Sequence, residues 1–254
     1  MTSILTWDAL IKRAKQLTAE PSPTQELLTF YAAVLEQQKI LYDALRSRRD
    51  WLPSVSLAKD LSVLNDHISS FFQAVSSVSP PALRDQADAS NEVLLRYWHD
   101  RSDKLFFPKA FLQPYAKWAV ESGALLRDAS RPENRCPHCG GKPQVSFLQV
   151  TDSSSESGNR NLICATCLSS WEFRRVVCAS CGEERPFKLG YFQTEDYAHV
   201  RIEACETCNS YIKGIDLTRL GFAVPLVDDV ATAALDLWAT ERGYQKIELN
   251  LVGL

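Results

Sequence analysis

The sequence predicts an α + small β fold: an all-α N-terminal domain, then two tandem zinc-ribbon metal modules and a C-terminal helix. The chain from residue 1 to residue 130 contains no cysteine and a single glycine, and its apolar residues recur at helical spacing. All eight cysteines lie between Cys136 and Cys208, in four Cys-x-x-Cys pairs. Helical spacing returns from Asp228 to Arg242, which predicts the last helix.

Five helices are predicted in the N-terminal domain. Apolar spacing places them at about residues 7–17, 23–45, 57–75, 80–98 and 105–122. The tetrapeptide Ser22-Pro23-Thr24-Gln25 predicts a capping box with Pro23 at the first helical position of the second helix. Pro108 and Pro114 are expected to interrupt the fifth helix, which ends before Gly123.

The domain boundaries follow from the change of pattern along the chain. We expect a helical domain at 1–130, a first metal module at 131–175, a second at 176–220, and the C-terminal helix and tail at 221–254. A charged linker lies at 127–135. Short β-prone runs such as 145–150 and 199–203 predict small hairpins, and 152–161 reads as a polar loop.

Composition excludes several classes of protein. A formal net charge of −3 and a pI of about 5.9 give no electrostatic reason for binding polyanions. The N-terminal stretch 1–17 does not form the apolar core of a signal peptide, and no stretch approaches the roughly 18 apolar residues of a membrane helix. We therefore expect a soluble cytoplasmic protein without membrane association.

The cysteine pattern indicates metal binding. In a reducing cytoplasm cysteines serve metal or redox chemistry, and disulfide frameworks rarely place every cysteine in a Cys-x-x-Cys pair. Two residues between cysteines let one tight turn direct both sulfur atoms at one ion, at about 2.3 Å. The predicted metal ligands are Cys136, Cys139, Cys164, Cys167, Cys178, Cys181, Cys205 and Cys208.

The cysteine region is an internal repeat. The pair Cys136/Cys139 recurs as Cys178/Cys181, and the pair Cys164/Cys167 recurs as Cys205/Cys208. The segments between the two pairs of each unit, 140–163 and 182–204, are nearly equal in length and close to zinc-ribbon spacing. Sequential pairing is favoured because each unit is self-contained. A cross-brace that joins the first pair to the third, and a pairing of the two middle pairs, remain as alternatives.

The residue that follows a Cys-x-x-Cys pair supports, in three of the four pairs, a tight turn around a metal ion. Gly140, Gly182 and Asn209 suit a left-handed backbone that points amide groups at sulfur, and Leu168 is the exception. Four thiolates form a closed tetrahedral shell for zinc or for a single iron, and the sequence does not separate the two. All eight cysteines are used, so we expect no open coordination position and no catalytic residue.

Several motifs resemble the FdhE family of formate dehydrogenase accessory proteins. The resemblance is carried by Arg135–Gly140 (RCPHCG), Asn161–Glu172 (NLICATCLSSWE), Arg174–Gly182 (RRVVCASCG), Glu203–Lys213 (EACETCNSYIK), Val227–Asp236 (VDDVATAALD), Gly243-Tyr244 and Phe111–Ala116 (FLQPYA). It extends over roughly residues 111–244. The first hundred residues are similar only in helical character, and 152–158 resembles an enlarged loop.

The resemblance implies a function and a cofactor. It implies a cytoplasmic protein needed for active molybdenum- or tungsten-dependent formate dehydrogenase, which binds the catalytic subunit of that enzyme before export or assembly. It also implies rubredoxin-like modules, with iron beside zinc as the candidate metal, one ion in each four-cysteine site. We expect a monomer or a weak homodimer.

Three functions are weighed against one another. A non-enzymatic accessory protein is favoured, because the sequence shows no nucleophile motif and no phosphate-binding glycine loop. A rubredoxin-like electron-transfer or redox-sensing protein is the alternative. Nucleic-acid binding is disfavoured because the metal region carries a negative net charge. Residues 136–214 hold eight Lys/Arg and nine Asp/Glu, and each four-thiolate site with a divalent ion adds a charge of about −2. Trp171, Tyr211 and Lys213 are candidate partner contacts or, equally, packing residues.

Overall fold

A computed structural model describes residues 5–19, 21–54, 56–100, 105–150 and 158–254. The predicted polar loop therefore lies mostly outside the described residues. The chain divides into two compact units: one contains residues 1–128 with Thr166–Leu168 and Leu251–Gly253, and the other contains the remaining residues. Among the described residues, no helix combines the length and the apolar character needed to cross a membrane.

The N-terminal region is helical, as the sequence predicts. Its helices are α1 (Trp7–Leu17), α2 (Gln25–Ser47), α3 (Leu57–Val78), α4 (Pro81–Arg84), α5 (Asn91–His99) and α6 (Phe106–Glu121). Phe71 and Phe72 of α3 pack their rings against Phe111 of α6, with centroids 5.4 and 6.0 Å apart. The predicted apolar stripes thus form the core of this unit.

Two predictions about helix ends are wrong. The second helix begins at Gln25 after Thr24, which makes no side-chain cap, so Pro23 precedes the helix and the capping box does not form. The fourth predicted helix is two helices. Ser90 begins the second of them by accepting the amide of Val93 at 3.4 Å, and this local cap outweighs the continuous apolar spacing.

Pro114 does not interrupt α6, contrary to the prediction. Proline has no N–H, so the carbonyl of Ala110 loses its helical donor. The side-chain amide of Gln38, fully buried on α2, donates to this carbonyl at 2.7 Å and to Gln113 Oε1 at 2.9 Å. A tertiary hydrogen bond therefore replaces the missing helical one and keeps the helix continuous.

The cysteine region forms a seven-stranded sheet in the part of the chain that the structure describes. Its strands are β1 (Pro143–Gln149), β2 (Asn159–Cys164), β3 (Ser170–Glu172), β4 (Leu189–Gln193), β5 (Val200–Cys205), β6 (Ser210–Asp216) and β7 (Gln245–Lys246). The strand order is β3-β2-β1-β6-β5-β4, and β7 pairs with β6. The predicted hairpin strands at 145–150 and 199–203 are confirmed as β1 and β5.

The sequence repeat is visible in the sheet. β1, β2 and β3 form one antiparallel meander, and β4, β5 and β6 form another. The two meanders join through parallel pairing of β1 with β6, from Val145 opposite Lys213 to Leu148 opposite Asp216. The predicted pair of metal modules thus shares one continuous sheet, and their boundaries at 131–175 and 176–220 stay a prediction.

The C-terminal helix is divided in two. α7 (Pro225–Ala231) and α8 (Ala233–Glu241) meet at Thr232, whose φ of −106° and ψ of 40° are not helical. The carbonyl oxygens of Asp229 and Thr232 accept from the buried ammonium of Lys213 on β6. The sequence predicts one helix because the apolar spacing from Asp228 to Arg242 is continuous. In the structure, the contact of Lys213 with these carbonyls accompanies a break in the helix at Thr232.

Candidate metal centres

The eight cysteines assemble into two clusters of four. The sulfur atoms of the first cluster (Cys136, Cys139, Cys164 and Cys167) lie within 4.8 Å of one another, and so do those of the second cluster (Cys178, Cys181, Cys205 and Cys208). These groupings correspond to sequential pairing within each repeat. Neither the cross-brace nor the pairing of the two middle pairs is observed.

The sulfur–sulfur distances of the second cluster match those around a tetrahedral ion. Four sulfur atoms that each lie about 2.3 Å from a central ion are separated by about 3.8 Å. In the second cluster the Cys178–Cys208 and Cys181–Cys205 sulfur atoms are both 3.8 Å apart, and in the first the Cys139–Cys164 distance is 3.4 Å. All eight cysteines are unbridged. The clusters can therefore hold two metal ions.

The same hydrogen bonds shape the two clusters. The amide of Cys136 donates to the Gly141 carbonyl at 2.9 Å, and the equivalent amide of Cys178 donates to Glu183. The amide of Gly140 donates to the carbonyl of Cys136, and the amide of Gly182 donates to the carbonyl of Cys178. These two hydrogen bonds close the turns. This correspondence explains how one local sequence pattern, present once in each repeat, yields the same knuckle twice.

Each of the four knuckles ends in a left-handed residue. Gly140 and Gly182 have φ of 72° and 77°, and Asn209 has φ of 52°, as their residue types predict. Leu168, the exception by type, also has a φ of 57°. A left-handed leucine costs roughly 1–2 kcal/mol. Its side chain is 3% exposed, so burial of a large apolar group opposes that cost.

Burial and hydrogen bonds shift the pKa values of three thiols in the second cluster. Burial raises the pKa of the Cys178 and Cys181 thiols above their ordinary value. Burial acts in the same direction on Cys208, but hydrogen bonds from Ser210 and from neighbouring thiols outweigh it and lower the pKa of that thiol to about 7. Four adjacent thiolates need a positive charge among them, which a metal ion supplies.

A buried ion pair joins β2 of the first repeat to β5 of the second. Arg160 on β2 is 2.5 Å from Glu203 on β5, and Arg201 also contacts Glu203, at 2.7 Å. Although burial by itself would raise the pKa of Glu203, the two guanidinium groups hold it below its ordinary value. Arg160 further donates to the carbonyls of Arg174 and Val177, which directly precedes Cys178.

A closed ring of four charges is buried around Lys213 of β6. Lys213 and Lys246 each contact both Asp229 and Asp236, at distances of 2.5–3.0 Å, and the four side chains are at most 5% exposed. Burial lowers the pKa of Lys213, and the two lysines lower the pKa of Asp229. The ring, neutral as a whole, attaches α7, α8 and β7 to β6.

The three candidate partner contacts are buried. Lys213 belongs to the charge ring, and Tyr211 is 2% exposed and donates to Asp236 Oδ1 at 2.8 Å. Trp171 is 8% exposed and donates through Nε1 to the Glu133 carbonyl. Their burial contradicts a role as exposed contacts for a partner, and their packing over the metal knuckles stays a prediction.

Sequence reasoning missed the Arg160–Glu203 pair and the charge ring. One signal was present: Glu203 and Lys213 each lie between non-polar neighbours in a strand that leads to or from a cysteine pair. A charged residue in such a strand needs a charged partner when it is buried. The identity of the partner depends on strand pairing, which the sequence alone does not show.

Comparison with known proteins reveals a consistent set of similarities. Residues 135–175 match the family profile described as the FdhE central domain, and residues 176–252 match that of the FdhE C-terminal domain. The chain is 44% identical to an FdhE homolog of Aquifex aeolicus over 58% of this chain and 51% of that protein. It is 29% identical to an FdhE homolog of Pectobacterium carotovorum over 94% and 84% of the two chains.

A solved structure has the same fold. The crystal structure of the FdhE protein from Pseudomonas aeruginosa aligns with a TM-score of 0.73 and 22% identity, over 99% of this chain and 98% of that one. The chain spans only part of some curated relatives it matches: 51% of the Aquifex aeolicus protein and 60% of that of Haemophilus influenzae.

Proposed function

Since the chain belongs to the FdhE family, whose central and C-terminal domains it carries at residues 135–252, we propose that it is an accessory protein for formate dehydrogenase formation. It acts in the cytoplasm, without catalysing a reaction, by binding the catalytic subunit of that enzyme. The two cysteine clusters hold one metal ion each, iron or zinc, with all eight cysteines as ligands.

The observation that carries this proposal is the pair of closed four-sulfur clusters on one sheet. Four cysteines complete a tetrahedral shell, so an ion in either cluster acts as a structural centre. Metal binding in such ribbons contributes directly to folding. The role of the ions is therefore to maintain the surface that the partner recognises.

Anaerobic affinity purification from the native cell tests this function. We expect a formate dehydrogenase catalytic subunit to be recovered with the protein, and about two metal ions per chain in the same sample, as measured by mass spectrometry. Recovery without any formate dehydrogenase subunit counts against the accessory function. Zinc-only protein without visible absorption excludes the electron-transfer alternative, whereas a red iron protein with reversible one-electron reduction favours it.

Cysteine substitutions test the structural role of the ions. Cys136→Ser and Cys178→Ser occupy equivalent positions in the two repeats, and each variant is expected to lose one ion, to unfold locally and to bind the partner less. Hydrogen exchange of the sheet amides reports the unfolding. Full partner binding and unchanged exchange in both variants would show that the ions do not support the binding surface.

A further inference from the structure

The two clusters share a backbone scheme but differ in access to solvent. In the first cluster Cys136, Cys164 and Cys167 are buried and Cys139 is half-buried. In the second, Cys178 and Cys205 are buried, Cys208 is half-buried and Cys181 is exposed. Because the turns that hold the sulfur atoms are equivalent, the difference arises from what covers them.

The difference extends over whole knuckles. In the first repeat every residue from Cys164 to Leu168 is buried. In the second repeat the equivalent knuckle, Cys205–Asn209, has Glu206, Thr207 and Asn209 exposed. The sequences match this contrast, since Ala165 and Leu168 of the first knuckle are replaced by Glu206 and Asn209 in the second. The second knuckle is thus built to face water.

A cavity adjoins the second cluster. It has a volume of about 20 Å³, and Cys178, Cys205, Arg160, Glu203 and Tyr191 are among the residues that line it. That volume is large enough for one water molecule. The second cluster is therefore exposed at Cys181, and a cavity that can hold one water molecule lies beside Cys178 and Cys205.

We propose that the two metal sites are unequal: the second cluster exchanges its ion rapidly, and the first releases its ion more slowly. This inference rests on the proposed binding of metal by both clusters. Exchange proceeds by ligand substitution. A ligand from solution binds the ion on the side of Cys181 and Cys208, the thiolates leave one at a time, and each takes up a proton. No electron is transferred. No cysteine of the first cluster is exposed: three are buried and Cys139 is half-buried, so that cluster offers a narrower approach.

Chelation of the full chain tests the inference. Zinc-loaded protein is first shown to hold two ions per chain, then mixed with excess EDTA, and the zinc that remains bound is measured over time. Parallel samples are labelled with N-ethylmaleimide and mapped by mass spectrometry. We expect two phases of one ion each, with Cys181 and Cys208 labelled during the fast phase and the first cluster labelled only during the slow phase.

Matched variants assign the phases. Cys139→Ser and Cys181→Ser lie at equivalent positions of the two repeats. Cys181→Ser is expected to abolish the fast phase, and Cys139→Ser the slow one. If either variant fails to fold, the order in which the cysteines of the unsubstituted protein are labelled still shows which cluster releases its ion first. Release of both ions in one phase, or earlier labelling of the first cluster, overturns the inference while leaving the metal sites intact. Fewer than two ions in the starting protein contradicts the proposed function instead.

Discussion

Arg160 and Glu203 form an ion pair at 2.5 Å, with their side chains 3% and 7% exposed. Arg160 lies on the strand that leads to Cys164, and Glu203 lies on the strand that leads to Cys205. Ser146 on β1 donates to the same carboxylate at 3.1 Å. The pair therefore connects the strands of the two repeats around one buried carboxylate, beside the parallel joint between β1 and β6.

Removal of Arg160 tests the importance of this connection. Arg160→Ala leaves the carboxylate of Glu203 buried with one of its two cations missing, and we expect a loss of about 3 kcal/mol or more in the free energy of unfolding. Denaturant titration followed by circular dichroism measures it. Arg174→Ala, which removes a half-exposed arginine from its ion pairs with Glu133 and Glu184, is the control and should change stability little. Equal stability of the two variants contradicts the assigned role.

The hydrogen bond from Gln38 to Ala110 is tested by a double-mutant cycle. Gln38→Ala leaves the Ala110 carbonyl buried and unpaired, which we expect to cost about 1–3 kcal/mol in the free energy of unfolding. Pro114→Ala restores a backbone N–H that can reach this carbonyl, so Gln38→Ala should cost less in that background. Gln73→Ala, on the exposed face of α3, is the control. Additive effects of the two substitutions would show that Gln38 does not compensate for the proline.

The ring of Lys213, Lys246, Asp229 and Asp236 is tested by changing its charge balance. Lys213→Met leaves two buried carboxylates with one lysine, and the expected loss is about 3–5 kcal/mol in the free energy of unfolding. Adding Asp236→Asn returns the ring to net neutrality and should recover part of this loss. Thermal unfolding of both variants measures the difference. A double variant less stable than Lys213→Met alone would exclude charge balance as the reason.

Alkaline titration tests the burial of two tyrosines. Burial and the neighbouring carboxylates of Asp60 and Asp236 raise the pKa of Tyr115 and Tyr211 above the ordinary value of 10.0. The folded state thus favours the neutral phenols, and this stabilisation is present below pH 10 and lost as the pH rises beyond it. Tyrosine ionisation is followed by the absorbance of tyrosinate in the near ultraviolet. We expect a fraction of the tyrosines to ionise only at higher pH, when the protein unfolds.

Two comparisons complete that titration. In guanidinium chloride all eight tyrosines should ionise in one step near pH 10, because the unfolded chain gives them similar surroundings. Tyr211→Phe should reduce the fraction that ionises only at higher pH and the alkaline sensitivity of the fold. Ionisation of every tyrosine near pH 10 while circular dichroism stays native would refute the burial effect.

Local features were predictable from the sequence. The spacing within Cys-x-x-Cys and the glycine or asparagine that follows three of the four pairs fix a short turn, and the repeat relates each turn of the first cluster to one turn of the second. The helical character of the described N-terminal segments likewise follows from apolar spacing. These features depend on neighbours along the chain, so no knowledge of distant contacts was required.

Tertiary structure decided the features that depend on distant partners. Gln38 keeps α6 continuous at Pro114, and Lys213 divides the C-terminal helix at Thr232, because each supplies a polar group to backbone atoms far away in sequence. The depth of each cluster is also a tertiary property. Cys139 and Cys181 have the same local sequence role, yet one is half-buried and the other exposed, since exposure is set by the residues that cover a turn and not by the turn itself.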